Sequence, residues 1–86
     1  MAYTVILKPA AERGFKKLAP DAQRQVLRVL DALQENPFPP GVKKLTGAEL
    51  YRVRTGDYRV VYSVERKVLH VLVVKIGHRR EIYRDR

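Results

Sequence analysis

Cysteine is missing from all 86 residues, which excludes a disulfide framework and any thiolate metal site. Its absence agrees with a reducing compartment, and the cytoplasm is the location the sequence suggests. No apolar run approaches the roughly 18 residues of a membrane span, so no membrane partner is expected. The opening residues "MAYTVILKPA" lack the order of charge, apolar stretch and small-residue cleavage site that marks a signal peptide. Two histidines, His70 and His78, and nine carboxylates show no metal-ligand spacing. There is no Ser-His-Asp or Cys-His set, no glycine-rich phosphate loop, no internal repeat and no low-complexity segment. Metal chemistry, triad hydrolysis and nucleotide-cofactor chemistry are thereby disfavoured, and neither a metal nor a small-molecule cofactor is expected.

What is present is positive charge, unevenly spread. The net charge is +9. Residues 1–42 hold six Lys/Arg and four Asp/Glu, a net of +2, whereas residues 43–86 hold twelve and five, a net of +7. Such asymmetry points to an anionic partner for the basic half, nucleic acid being the commonest. A basic surface kept for solubility is the competing reading. An acidic membrane surface would need a basic amphipathic helix or a lipid anchor signal, and neither is found.

The length predicts one domain, residues 1–86. "YTVILK" (Tyr3 to Lys8) is β-branched and aromatic and reads as a strand. Pro9 ends it and can open a helix; Ala11, Phe15 and Leu18 then fall on one helical face. Pro20 opens a second helix in which Ala22, Val26, Val29, Leu30 and Leu33 follow at helical spacing. It stops at Asn36-Pro37, because a residue before proline is pushed out of the α region. "NPFPPGVKKLTGAE" reads as a loop, with three prolines and two glycines. Then the period changes to two: "LYRVR" (Leu50 to Arg54), "DYRVVYSV" (Asp57 to Val64) and "KVLHVLVVKI" (Lys67 to Ile76) read as strands joined by hairpin turns. The expected fold is α+β: an N-terminal strand, a two-helix hairpin, then a three-stranded antiparallel meander, with both helices on one sheet face.

Alternation sorts the meander's side chains. Tyr58, Val60, Tyr62 and Val64 share a face suited to lie under the helices, so Arg59 points to the other. If Tyr51 and Val53 also meet the helices, Arg52 and Arg54 join Arg59 on the open face. Three converging guanidiniums repel one another unless something anionic sits among them; ion pairing with Glu49, Asp57 or Glu65 is the competing reading. As a residue of an open face, Arg59 is expected to be exposed and to contribute little to stability. His70 reads as a packed or half-exposed strand residue. After Gly77, the tail "HRREIYRDR" adds His78, Arg79, Arg80, Tyr83, Arg84 and Arg86. Arrays of Arg or Lys around a phosphate, with positioned proton-moving groups, are the means of catalysis there, and His78 and Tyr83 have suitable chemistry.

"LYRVRTGDYRVVYSV" followed by "VLVVKIGHRREIYR" resembles the signature of the RelE/ParE toxin superfamily of type II toxin–antitoxin systems, and more narrowly the RelE-type mRNA interferases. The resemblance covers nearly the whole chain, in the family's order of elements, and implies a RelE-like fold. It implies a ribosome-dependent, metal-independent endoribonuclease that cuts mRNA in the A site by attack of the ribose 2′-OH on the adjacent phosphate. It also implies a cognate antitoxin, for which the basic half predicts an acidic segment.

By that resemblance, Arg59 holds the scissile phosphate, Arg79 stabilises the leaving oxygen or acts as general acid, and Tyr83 stacks on or orients the nucleotide. Arg52 and Arg54 occupy positions where other members carry lysines. A lysine can serve as base if its pKa is depressed, but an arginine essentially cannot; His78, which titrates in the useful range, is the preferred substitute. Lys43 and Lys44 are expected to contact backbone phosphates or ribosomal RNA. ParE-type relatives, which block DNA gyrase, generally lack the arginine pair and the terminal tyrosine, so Arg59, Arg79 and Tyr83 favour the nuclease. A non-catalytic basic RNA-binding module is the third reading; the meander lacks the exposed aromatic pair of sheet-based RNA readers.

Overall fold

The computed structural model describes residues 2–78. Five strands and two helices follow in the order β1 (Thr4–Leu7), α1 (Pro9–Lys16), α2 (Pro20–Glu35), β2 (Lys43–Lys44), β3 (Tyr51–Thr55), β4 (Tyr58–Glu65) and β5 (His70–His78). The strands form one sheet in the order β1-β5-β4-β3-β2. The class is α+β, and the antiparallel meander β3-β4-β5 is as expected.

Both helices open on proline at their first turn, where the missing N–H costs nothing and φ is preset. Asp21 in the first turn of α2 pairs with Arg24 one turn on. That helix ends at Asn36, which turns extended ahead of Pro37, and the Asn36 side chain accepts the Phe38 N–H at 3.0 Å. Ala11, Val26, Leu30 and Leu33 from the helices meet Val53, Val60, Tyr62, Val71, Val73 and Ile76 from one sheet face in a single core. Tyr62, fully buried, donates its hydroxyl to the Pro37 carbonyl at 2.7 Å and so ties the loop after α2 to the centre of the sheet. Burial, with a smaller contribution from Tyr51, raises the Tyr62 pKa to about 12, so the hydroxyl stays a donor.

Gly14 is a concession within α1 that the packing explains. A Cβ at this position would stand 2.0 Å from the Ile76 carbonyl oxygen. The helix backbone therefore lies directly against β5, and the up to about 1 kcal/mol of helix propensity lost to glycine is offset by that approach.

Four features depart from the sequence expectation. The segment read wholly as loop contains β2, whose Lys43 and Lys44 pair with Arg52 and Tyr51; two lysines carry no period by which a strand could be recognised. The N-terminal strand β1 pairs in parallel with β5, at the far edge of the sheet from β2, a neighbour that alternation does not specify. The last strand begins at His70 rather than Lys67, because Arg66 to Leu69 form a four-residue turn closed by Leu69 at φ 56. His70 accordingly opens the strand rather than sitting within it. Finally, β5 carries a bulge: Val61 faces Lys75 but Tyr62 faces Val73, leaving Val74 as the extra residue. The bulge switches the strand's parity. Val71, Val73 and Ile76 thereby all reach the core, while Lys75 is turned to the opposite face.

Candidate functional site

The face of the sheet away from the helices collects the basic side chains. Side chains directly opposite one another on neighbouring strands share a face. One cross-strand row runs Lys43, Arg52, Val61, Lys75; the next runs Arg54, Arg59, Gly77. Arg52, Arg54 and Arg59, which alternation predicted would converge, do share this face. Lys75 joins them. It was missed in the sequence because strict alternation along β5 would have put it with the core, and only the bulge at Val74 reverses that.

Arg59 is the centre of this arrangement and corrects an expectation. It is 4% exposed, the buried charged residue of the described chain, with its Nε inside. Its neighbour on the same face, Val61, is also buried at 5%. Arg59 is the second residue of β4, the central strand of the sheet, and is held by the ladder on both sides, whereas Arg54 opposite it is exposed. Gly77, its partner on β5, presents no side chain beside it. A desolvated guanidinium interacts more strongly with an arriving anion than an exposed one, because less water competes. Its planar fork can give two parallel hydrogen bonds to one phosphate.

Two adjacent lysines expected to act together are separated by the register. Lys43 lies opposite Arg52 and belongs to the basic face; Lys44 lies opposite Tyr51, on the helix side, and pairs with Glu49 at 3.2 Å. Glu49 is thus engaged by a lysine, and Glu65 stands at the other end of β4, opposite His70. His78 is not brought to the Arg59 face: it pairs with Tyr58, its ring edge-on at 5.7 Å. Arg79 and Tyr83 lie outside the described residues. Among the described residues no group of three or more His, Asp or Glu side chains could hold a metal ion.

A buried arginine thus shares one sheet face with Arg52, Arg54, Lys43 and Lys75, a concentration of positive charge presented on a small α+β domain of mixed topology. The family model described as "ParE toxin of type II toxin-antitoxin system, parDE" matches residues 5–83. The chain belongs to the RelE/ParE superfamily of type II toxins, and to its RelE-type branch. It is 32% identical to toxin RelG of Mycobacterium tuberculosis, over 98% of this chain and 99% of that protein. Its fold is similar to that in the archaeal RelE–RelB complex of Pyrococcus horikoshii, with a TM-score of 0.80, 34% identity and coverage of 92% of this chain and 97% of that one. It is similar too to the toxin–antitoxin complex RelBE2 of M. tuberculosis, with a TM-score of 0.83 and 27% identity, covering 92% and 100% of the two chains.

Proposed function

We propose that this toxin is a ribosome-dependent endoribonuclease that cuts mRNA in the A site and so stops translation. The observation that carries the reading is Arg59, buried mid-sheet amid a face of basic residues. In the reaction a ribose 2′-oxygen attacks the adjacent phosphorus, its proton passes to a base, and the P–O5′ bond breaks. The products are a 2′,3′-cyclic phosphate and a 5′-OH that takes up a proton. Arg59 donates to the non-bridging oxygens, where charge builds during attack. Arg52, Arg54 and Lys43 hold the flanking backbone. Arg79 is assigned the leaving oxygen and Tyr83 the nucleotide. His78 remains the candidate base, acting round the end of β5 rather than across the face. No metal ion enters the scheme.

The chain offers few groups for acid–base work near Arg59, so alignment of the 2′-OH by the ribosome is expected to supply much of the rate. The toxin is further proposed to act in the cytoplasm, held by a cognate antitoxin whose acidic segment covers the basic face. Solved relatives are RelE proteins in complex with RelB. Capture of this kind weakens with salt, and titration calorimetry at two ionic strengths tests it.

Primer extension on an mRNA under translation tests the nuclease. Cuts within the codon in the A site, with far slower cutting of the same RNA free of ribosomes, are the expected result. Equal rates on free and translated RNA would remove the ribosome from the scheme. Inhibition of gyrase supercoiling without any RNA cutting would move the chain to the ParE-type reading.

A further inference from the structure

A second basic feature lies on the other side of the sheet. Between α1 and the ends of β4 and β5 there is a cleft of about 500 Å³, lined among others by Arg13, Lys17, Tyr58, Gly77 and His78. None of its described lining residues is acidic. Arg13 and Lys17 are exposed, one helical turn apart, and neither forms an ion pair with any described residue. Like charges at this spacing on a helix destabilise it slightly. Gly14, also in the lining, stands where no Cβ can be accommodated, so the floor is bare backbone.

The register ties this cleft to the Arg59 face. Gly77 lines the cleft and is also the direct partner of Arg59; Tyr58 and His78, the next row out, line it too. A strand of RNA crossing Arg59 and leaving over the end of β5 passes from one face to the other within two residues of sheet.

We infer that the α1–β5 cleft is a second phosphate subsite, in which Arg13 and Lys17 hold the RNA backbone after it leaves the Arg59 face. The inference rests on the RNA-cutting reading above and extends the bound strand beyond the scissile phosphate. It assigns α1, to which the family resemblance gave no role, a direct contact with the ligand.

The test is equilibrium binding of a single-stranded RNA made uncuttable by 2′-O-methylation, measured over a range of salt. Each phosphate contact removed lowers the slope of log K against log salt by about 0.7. The double variant Arg13→Ala/Lys17→Ala is expected to lose about 1.4 from that slope and to bind more weakly at low salt. The double variant Lys16→Ala/Arg28→Ala removes the same charge from exposed positions outside the cleft and is expected to keep the parent slope. Equal slopes for the two doubles overturn the subsite while leaving the nuclease reading intact. A loss confined to binding of an acidic antitoxin peptide, with RNA binding unchanged, overturns it in favour of a protein contact. A parent protein with no salt-dependent RNA binding overturns the subsite and the RNA reading together.

Discussion

The same three strands present two chemically opposite faces. On the helix side, Val53, Val60, Tyr62, Val71, Val73 and Ile76 close a core with no charged member. The other side carries Arg52, Arg54, Arg59 and Lys75, with Val61, Ser63 and Leu72 beside them. The first face holds the fold together through burial of apolar area, at about 25 cal/mol per Å². The second collects charges whose mutual repulsion opposes folding, and Arg59 among them is buried as deeply as many core residues. A small domain can carry such a face because the other one supplies its stability. The division predicts that changes on the basic face alter activity at little cost in stability, and that changes on the helix face do the reverse.

The sharpest test of that division is Arg59. Because it is buried, truncation to alanine would remove packing as well as charge, so Arg59→Met is the cleaner change: it keeps the length of the stem and deletes the fork. The apolar stem of methionine keeps the packing that alanine would delete. Cutting of mRNA on the ribosome is expected to fall by about 10²–10³, the usual loss for one preorganised donor. The melting temperature is expected to stay within about 5 °C of the parent, equivalent to roughly 1 kcal/mol or less. Arg59→Lys keeps charge without the fork and is expected to remain strongly impaired. A Met variant that cuts like the parent removes Arg59 from the phosphate; one that fails only by unfolding makes the arginine structural.

Gly14 tests the opposite face. In most exposed helices Gly→Ala stabilises by up to about 1 kcal/mol. Here the added methyl would lie 2.0 Å from the Ile76 oxygen, a backbone atom that cannot swing aside. The change is expected to cost about 3 kcal/mol, the upper end of ordinary overpacking, and to lower the melting temperature by about 12 °C or more. Thermal melts decide it, and an unchanged or raised melting point would show that α1 does not rest on β5.

The faces were legible in the sequence where alternation was unbroken. Tyr58, Val60 and Tyr62 against Arg59 and Val61 could be assigned by parity alone, and so could Arg52 and Arg54. Beyond Val73 parity fails, since a bulge shifts it by one residue and nothing in "VLVVKIG" marks Val74 as the extra residue. Lys75 was lost for that reason. The parallel pairing of β1 with β5 was illegible for a different reason: it joins opposite ends of the chain, and local pattern carries no information about which strand lies beside which. Exposure was the third failure. Parity says which way Arg59 points, but not how deeply the neighbouring strands sink it. Gly14 is a glycine within a regular helix, and its cause is the close approach of β5, which no local pattern reveals.

Tyr62 gives a smaller effect on the helix face, with a pH signature. Its hydroxyl donates to the Pro37 carbonyl, and Pro37 is itself buried. Tyr62→Phe leaves that acceptor without its donor and is expected to cost about 1–3 kcal/mol. The folded-state pKa of about 12 lies above the ordinary value of 10.0, so the folded form holds the proton more tightly. The associated stability is fully present below pH 10 and is lost as pH rises through about 12. Denaturant titrations from neutral pH to pH 12 are expected to show this alkaline loss in the parent and a shallower one in the Phe variant. Parallel pH curves would mean that another group governs the alkaline limb.

The finest distinction is between Lys43 and Lys44, adjacent in sequence, both exposed, and directed by β2 to opposite faces. Composition treats them as one basic patch. The register does not: Lys43 joins Arg52 on the basic face, and Lys44 joins Tyr51 and Glu49 on the other. Lys43→Ala is expected to weaken binding of uncuttable single-stranded RNA and to reduce its salt slope by about 0.7, the share of one backbone contact. Lys44→Ala removes the same charge at nearly the same place and is expected to leave that slope unchanged. It should cost at most about 1 kcal/mol of stability, because an exposed pair such as Lys44–Glu49 is worth little. The contrast separates a directed contact from a diffuse field, since a field falls off smoothly and would register both lysines alike. Equal slopes for the two variants would therefore dissolve the two-face division at this edge, and reversed slopes would place the RNA on the helix side of β2.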